Sequence, residues 1–474
     1  MKYVKDILIS ILVISAVGLT GCLYPKNNPG EKDPPDNPIK SNEKTQSIDS
    51  VEKVKLGGTN QWIYVTGNDN SKPVLLFLHG GPGYAMMPLL HTYNSYLEKY
   101  FTVVNWDQRG AGLSFSPNIP EESMNLKQFV SDTHELTLYL KKRFKQEKIF
   151  LAGHSFGTVL GMEAIYNYPN DYQAFVGIGQ VVSFASNEQL SYDFALKSAK
   201  EANNNKAVKE LTRIGRPDAN GNYKDDSGYE ITVSWVEYYG GSIYGKTSTG
   251  DLENIILSSQ IYKDNIEKVE NGWSFSDLLF DDKEVRSLDF RSKIKSVDVP
   301  VYFFEGTYDY ETPFELVKEY FNILKAPSKE LIWFENSAHF PFYEEPQKFN
   351  EIMINKVLSN AILSKLPGEW EGTYTTNQAS NKMRLNIQKT DDSSYWAEFK
   401  FETSNSLSGS YKILISYDSV NNTIVFTGNE WINKPVGFEM IHLRGNISDN
   451  SLKGTCFLND GITYTGTFSV VKDK

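Results

Sequence analysis

Apolar residues between positions 51 and 365 form short continuous runs separated by longer stretches with helical spacing. Continuous apolar runs of about five residues predict strands buried on both faces. A strand that regularly alternates with a helix predicts a largely parallel sheet covered by helices on both sides. The predicted strands are 61–65, Val74–Leu78, 101–105, 148–152, 174–178, 299–304 and 330–334, and the predicted helices are Leu126–Phe144, 156–168, 313–324 and 344–363.

Two regions depart from this alternation. Residues 183–290 are helical, aromatic and acidic without a clear buried strand, which predicts an insertion above the sheet. From 367 to 474 the apolar positions recur every second residue, which predicts a small antiparallel barrel or sandwich. Its predicted strands are 370–375, 383–387, 395–401, 411–416, 423–427, 438–443, 452–457 and 463–470.

The first 50 residues read as a secretion signal and a linker. Lys2 and Lys5 precede an apolar run at 7–19, which is too short to span a membrane. The run ends in Leu-Thr-Gly-Cys22, which resembles the bacterial lipobox, so we expect a signal peptide at 1–21 and a lipid on Cys22. Residues 22–50 are polar and rich in proline, which predicts a flexible tether. The mature protein is therefore expected on the bacterial cell membrane, facing outside the cytoplasm.

Composition narrows the possibilities further. The chain has 474 residues with 59 Asp and Glu against 48 Lys and Arg, a formal net charge of −11. An acidic chain is a poor nucleic-acid binder because a basic surface is needed to meet phosphates. The other cysteine, Cys456, has no partner once Cys22 is lipidated, so we expect no intramolecular disulfide.

The strongest chemical signal is the pentapeptide Gly153-His-Ser155-Phe-Gly157, placed between a predicted strand and a predicted helix. This is the context of a nucleophile elbow, in which a tight turn exposes a serine hydroxyl at the end of a strand. Side chains at the flanking positions would clash in such a turn, and the two glycines avoid this. Ser155 is therefore the candidate nucleophile.

A second glycine-rich segment, His79-Gly-Gly81-Pro-Gly83, directly follows the strand Val74–Leu78. In folds with a serine elbow, the oxyanion hole takes one N–H from the residue after the nucleophile and one from this loop. These positions predict the backbone amides of Phe156 and Gly81 as the two donors.

The candidate base and acid follow from their order along the chain. Of six histidines, only His339 follows the last buried strand, where a serine-elbow fold delivers its base. The acid should follow the preceding strand, and Asp309 is best placed to orient His339. Glu305 and Glu311 are close rivals for the same role.

At this point residues 51–365 resemble an α/β-hydrolase. The 79–83 loop, together with Asp107-Gln-Arg-Gly-Ala-Gly-Leu-Ser114, more narrowly resembles the proline iminopeptidase family of serine peptidases. The resemblance implies a Ser155–His339–Asp309 triad, a helical cap at about 183–290, and release of a small N-terminal residue from a peptide. The elbow departs from the family's usual Gly-Gly-Ser-Trp-Gly and is closer to that of many esterases.

The resemblance also implies cap glutamates that hold the substrate amine, and Glu237 is the nearest candidate, with a solvated helix residue as the alternative. No metal or organic cofactor is expected. The cap carries 19 acidic and 12 basic residues, a net charge of −7, which would attract a cationic peptide amine. Gly368-Glu-Trp370 weakly resembles the opening of a lipocalin, and the ligand of the β domain is left open.

Two other functions remain possible from the sequence. A carboxylesterase would use the same three residues on a small acyl substrate. A ligand-binding surface lipoprotein with a vestigial hydrolase body would use none of them.

Overall fold

A computed structural model describes residues 46–376, 379–390, 394–404, 406–448 and 450–473. The predicted signal peptide, Cys22 and the predicted tether as far as residue 45 lie outside the described residues. Within the described ranges, no helix is both long and apolar enough to cross a membrane.

An eight-stranded sheet forms the centre of the first part of the described chain. Its strand order is β1-β2-β4-β3-β5-β6-β7-β8, with β1 and β2 antiparallel to their neighbours and the other strands parallel. The parallel sheet predicted from the apolar runs is confirmed. The strands are β1 (Ile48–Leu56), β2 (Thr59–Gly67), β3 (Val74–Leu78), β4 (Thr102–Asp107), β5 (Ile149–His154), β6 (Tyr172–Ile178), β7 (Val301–Gly306) and β8 (Lys329–Phe334).

Strand β1 is a difference from the sequence analysis. It begins at Ile48, three residues inside the segment predicted as a tether. Only Val54 and Leu56 are buried in this edge strand, and Glu52, on the same face, forms an ion pair with Arg143. An edge strand with charged residues at alternate positions has the polar composition of a linker, which explains why the boundary was misplaced.

Helices cover both faces of the sheet, and each face has its own apolar core. A π-helical turn at Met353–Leu358 joins the last two helices. The helices are α1 (Met87–Asn94), α2 (Leu126–Phe144), α3 (Phe156–Asn167), α4 (Phe184–Glu201), α5 (Asn205–Ile214), α6 (Gly228–Tyr238), α7 (Gly250–Ser258), α8 (Ile266–Ser276), α9 (Lys283–Arg286), α10 (Phe290–Lys293), α11 (Phe314–Ile323), α12 (Pro341–Glu344), α13 (Pro346–Ile352) and α14 (Ser359–Leu363).

The helices α4 to α10 lie between β6 and β7 and constitute the cap. Tyr192, Leu211 and Val236, from three of these helices, share a small core separate from the two sheet cores. The sequence prediction of a helical insertion in an α/β-hydrolase fold is confirmed.

The last eight strands close into an antiparallel barrel, each pairing with its neighbours in sequence and the last pairing with the first. Of the predicted alternatives, the barrel is correct and the sandwich is wrong. The strands are β9 (Gly368–Thr376), β10 (Ser380–Lys389), β11 (Tyr395–Glu402), β12 (Ser408–Asp418), β13 (Thr423–Asn433), β14 (His442–Ser448), β15 (Ser451–Phe457) and β16 (Tyr464–Lys472).

One barrel strand was predicted out of place. The predicted strand 438–443 lies mostly in a loop, and β14 begins only at His442. Pro435 and Gly437 interrupt strand pairing before it, while the apolar side chains of Phe438 and Met440 pack on the barrel core from the loop. In a loop that covers a core, every second residue can be apolar, as in a strand, although the loop forms no strand pairing.

The barrel is joined to the hydrolase body through the end of α14. Leu363 and Leu366 belong to the barrel's apolar core. The indole Nε1 of Trp370, the first inward-facing residue of β9, donates a hydrogen bond of 2.8 Å to the Leu366 carbonyl. The barrel end nearest the hydrolase is thus closed by side chains from both parts.

Candidate active site

Ser155 occupies a strained turn between β5 and α3. Its backbone has φ 52° and ψ −123°, a conformation that side chains rarely adopt and that is typical of functional turns. A Cβ at Gly153 would lie 2.4 Å from the Gly157 carbonyl oxygen, and one at Gly157 would lie 2.3 Å from the Leu78 carbonyl oxygen. Both glycines are therefore needed for β5, α3 and β3 to approach this closely.

The glycine-rich loop after β3 packs directly against the serine. A Cβ at Gly80 would lie 2.7 Å from the Ser155 Cβ. Gly81 lines the same pocket as Ser155 and Phe156. Within the described residues, neither the Gly81 nor the Phe156 amide donates a hydrogen bond to the backbone or to a side chain. Two amides beside the serine are thus available to an incoming oxygen.

His79 and Gln108 hold this loop in place. The Nδ1 of His79 bonds to the Gly80 carbonyl at 2.8 Å, and its Nε2 accepts from the Gln108 amide at 3.1 Å. Burial lowers the pKa of His79 to about 4, so the ring is neutral and keeps both contacts. The Gln108 side chain returns a hydrogen bond of 2.9 Å to the His79 carbonyl. Gln108, from the 107–114 motif, therefore helps to fix the position of the 79–83 loop.

Asp309 and His339 are brought together at the ends of β7 and β8. The His339 Nδ1 donates to the Asp309 Oδ2 at 2.8 Å, and both side chains are fully buried. Asp309 also accepts hydrogen bonds from the amides of Glu311 (2.9 Å) and Thr312 (2.8 Å). Glu305, a rival in the sequence analysis, instead accepts from the Gln180 amide, and burial raises its pKa well above the usual range.

The other nitrogen of His339 has no hydrogen-bond partner in the described part of the chain. Its nearest charged neighbour is the Glu311 Oε2, 3.6 Å from Nε2. Ser155 and His339 both lie beside the end of β6, since the Ser155 amide bonds to the Ile178 carbonyl and a Cβ at Gly179 would lie 2.8 Å from the His339 ring. Burial opposes the charge on His339, but Asp309 and Glu311 outweigh it and raise its pKa to about 9.

His154, to which the sequence analysis gave no role, supports this arrangement. Its Nε2 donates to the His339 carbonyl at 2.8 Å, and the two rings lie 4.6 Å apart. Burial lowers the pKa of His154 well below the usual range, so it acts as a neutral donor that fixes the backbone of His339.

Comparisons with known proteins identify the family of this chain. The family model described as serine aminopeptidase, S33, matches residues 69–220. The probable aminopeptidase YbaC of Bacillus subtilis is 35% identical over 307 residues, covering 64% of this chain and 95% of the relative. The proline iminopeptidase of Clostridium botulinum is 26% identical over 299 residues, covering 61% and 90%.

The protein belongs to the serine aminopeptidase family of α/β-hydrolases. Among solved structures, the proline iminopeptidase of Mycobacterium smegmatis is similar, with a TM-score of 0.47 and 18% identity over 64% of this chain and 96% of that one.

The hydrolase has a pocket of about 80 Å³ beside the serine, with two acidic residues in its wall. Glu188 of α4 and Glu311 face it together with Tyr229. Burial raises the pKa of Glu188 to about 7 and also raises that of Glu311, although His339 opposes the latter shift. An acidic wall of this kind accommodates a positive charge better than a negative one.

Glu237, the sequence candidate for binding an amine, lies near this wall but outside the pocket lining. It accepts hydrogen bonds from the amide and the hydroxyl of Thr249, at the start of α7. Its charge still contributes to the raised pKa of Glu311. The amine-binding role of Glu237 therefore stays a prediction, and the pocket itself presents Glu188 and Glu311.

Sequence reasoning weighed Glu311 only as a rival acid and did not single out Glu188. The sequence feature that could have indicated a pocket role for Glu311 is its position two residues after Asp309. For Glu188, the only such feature is its place early in the cap. Among the described residues, no cluster of three or more His, Cys, Asp or Glu side chains could hold a metal ion.

Proposed function

We propose that this hydrolase removes a small N-terminal residue from a peptide through an acyl-enzyme. We further propose that a lipid on Cys22 holds it on the outer side of the bacterial cell membrane. One observation carries the enzymatic proposal. The buried imidazole of His339 has a carboxylate on one nitrogen and an unbonded second nitrogen, next to the turn that exposes Ser155.

In the first step, the His339 Nε2 takes the proton of the Ser155 hydroxyl as the oxygen attacks the scissile carbonyl. Asp309 keeps the other ring proton on Nδ1 and stabilises the imidazolium that forms. The developing oxyanion is held by the free amides of Gly81 and Phe156. His339 then protonates the leaving amine, and water releases the acyl group by the same steps in reverse order.

The acidic wall favours a substrate with a free amine. An ammonium group placed between Glu188 and Glu311 would offset part of the charge of two carboxylates that burial disfavours as anions. A charge-assisted hydrogen bond of this kind contributes about 1.5–3 kcal/mol. The Glu188 and Glu311 carboxylates would therefore make the enzyme prefer aminoacyl substrates to neutral esters.

The two cavities of the cap fit the two parts of such a substrate. The pocket beside Ser155 is small, about 80 Å³, which suits a small first residue. A cavity of about 380 Å³ shares Phe184, Glu188, Tyr229 and Phe280 with it. This larger space leaves room for the rest of the peptide.

A substrate panel tests the proposal. Prolyl and alanyl p-nitroanilides should be hydrolysed, whereas N-acetyl-alanyl p-nitroanilide, which lacks the ammonium, should not. Ser155→Ala should lower the rate by roughly 10⁴-fold or more. Ser191→Ala, which changes another serine of the same pocket wall, should retain most of the activity. Glu188→Gln should raise KM for the alanyl substrate by about tenfold or more.

Two outcomes would favour the other functions. Turnover of p-nitrophenyl acetate without turnover of any amide would indicate a carboxylesterase, as the Gly-His-Ser-Phe-Gly elbow also allows. Failure of a fluorophosphonate probe to label Ser155 in the folded protein would indicate a ligand-binding lipoprotein with an inactive hydrolase body.

A further inference from the structure

The interior of the barrel is filled at one end only. At the end nearest the hydrolase, Trp370 and Ile387 pack with Leu363, the last residue of α14, and with Leu366, and all four side chains are buried. An eight-stranded barrel has an interior just wide enough to be filled by side chains or to hold one small ligand. In this barrel, side chains fill the end nearest the hydrolase, and the other end has room for a small ligand.

The opposite end contains a cavity of about 320 Å³. This volume is at the lower end of the range for small-molecule sites, which are mostly apolar. Phe399 and Tyr411 lie with ring centroids 4.8 Å apart in its wall, and Phe401 stacks on Phe438 at 5.4 Å. These aromatic rings form the apolar part of the cavity wall.

Two polar side chains in this wall have no hydrogen-bond partner among the described residues. Tyr374 and Asn381 lie directly opposite each other on β9 and β10, both inward-facing and both 7% exposed. Neither the hydroxyl nor the amide bonds to another side chain or to the backbone within the described ranges. Burial raises the pKa of Tyr374 to about 12, so its hydroxyl stays a donor. Both side chains line the cavity, so a bound ligand could form hydrogen bonds with the Tyr374 hydroxyl and the Asn381 amide.

The mouth of the cavity carries a negative charge. Glu439 lines it, is exposed, and forms no ion pair with a described residue. Leu407, also in the lining, has an apolar side chain that is 51% exposed at the same mouth. Among the residues that the structure describes, no lysine or arginine lines the cavity to neutralise an anionic ligand.

We propose that the open end of the barrel binds a small amphipathic molecule. Its alkyl or aromatic body packs against Phe399 and Tyr411, and its uncharged or cationic head bonds to Asn381 and Tyr374 beside Glu439. This site is separate from the serine pocket, and the proposal does not depend on the reaction that the hydrolase catalyses.

The test uses the whole protein and N-phenyl-1-naphthylamine, a neutral aromatic amine that fluoresces in apolar surroundings. We expect a saturable increase in fluorescence with the wild type. Ala379→Trp places an indole in the cavity wall and should weaken binding at least about tenfold. The control Val420→Trp adds the same group at an exposed position in the turn between β12 and β13, at the other end of the barrel, and should bind as the wild type does.

Displacement of the probe tests the chemistry of the head group. Decylamine and decanol should displace it, and decanoate should require roughly three- to tenfold higher concentrations than decylamine. Glu439→Lys changes an exposed residue, so folding is not at risk, and it should reverse the order of decylamine and decanoate. Asn381→Leu should weaken displacement by decanol.

Three results would overturn the proposal. The first is no saturable binding by the wild type. The second is equal probe binding by folded Ala379→Trp, which would place the probe elsewhere, such as in the cap cavity. The third is an unchanged order of displacement in Glu439→Lys. The wild type labelled at Ser155 with a fluorophosphonate should bind the probe normally, which separates this site from the serine pocket.

Discussion

Glu311 lies on the substrate side of His339, and its removal should change the pH at which the base works. Its Oε2 is 3.6 Å from the His339 Nε2, while Asp309 holds Nδ1 at 2.8 Å. Against the effect of burial, the two carboxylates raise the pKa of His339 to about 9. A general base must be unprotonated, so the reactivity of Ser155 should be lost as the pH falls below this pKa.

The size of the effect follows from the distance. Two unit charges 3.6 Å apart interact by roughly 4.6 kcal/mol at an effective dielectric constant of about 20. The Glu311 side chain is 28% exposed, so solvent screening reduces this energy. If about one third to one half remains, Glu311→Gln should move the pH midpoint down by roughly one to two pH units.

The assay is the rate of Ser155 labelling by a fluorophosphonate between about pH 5.5 and about pH 10. The probe carries no amine, so a lost ammonium site does not affect it. Glu188→Gln is the matched control, because Glu188 lines the same pocket and is not among the groups that shift the pKa of His339. Its midpoint should equal that of the wild type.

One result would refute the reasoning. If Glu311→Gln labels with the wild-type midpoint, either the Glu311 carboxylate is not coupled to the base or the activation of Ser155 does not pass through His339. Asp309→Asn distinguishes these possibilities, because it should lower the labelling rate at every pH if His339 is the base, by up to about 10⁴-fold.

Three further predictions concern folding and location. Gly157→Ala places a Cβ 2.3 Å from a carbonyl oxygen of β3 and should lower the free energy of unfolding by about 2 kcal/mol or more in urea titrations, whereas Gly250→Ala, near only a flexible hydroxyl, should be neutral. Asp132→Ala leaves a buried guanidinium unpaired and should cost about 3–5 kcal/mol of unfolding free energy, against less than about 1 kcal/mol for Asp193→Ala in an exposed pair. Cys22→Ser should move the protein from the membrane fraction to the medium on immunoblots; retention in the membrane would contradict lipid anchoring.

The central sheet could be predicted because its strands are buried on both faces. Such strands are continuous apolar runs with glycine, proline or polar residues at each end, and they stand out from any neighbouring segment. Strand β1 has only one partly buried face and reads as a charged linker. The loop before β14 has the opposite problem, since its apolar residues contact the barrel core without forming a strand.

The acidic lining of the serine pocket could not be predicted for a different reason. The cap contains 19 acidic residues, and most of them suit a solvated helix surface equally well. The orientation and packing of the cap helices decide which acidic residues face Ser155. The spacing of these residues along the chain does not indicate that orientation. Glu188 reaches the pocket because α4 lies over Phe156, with Phe184 of the same helix 6.4 Å from the Phe156 ring.

The loop after β7 contains two acidic residues whose roles cannot be told apart from their order along the chain alone. Sequence reasoning treated Asp309 and Glu311 as competitors for one role, yet they lie at opposite nitrogens of His339. Asp309 accepts hydrogen bonds from the amides of Glu311 and Thr312, and this local turn brings the chain back across the imidazole. The residue that orients the base therefore also positions the second carboxylate. Asp309 and Glu311, two residues apart, thus act on the His339 ring from different sides. Their spacing along the chain does not show this arrangement, and the folded structure does.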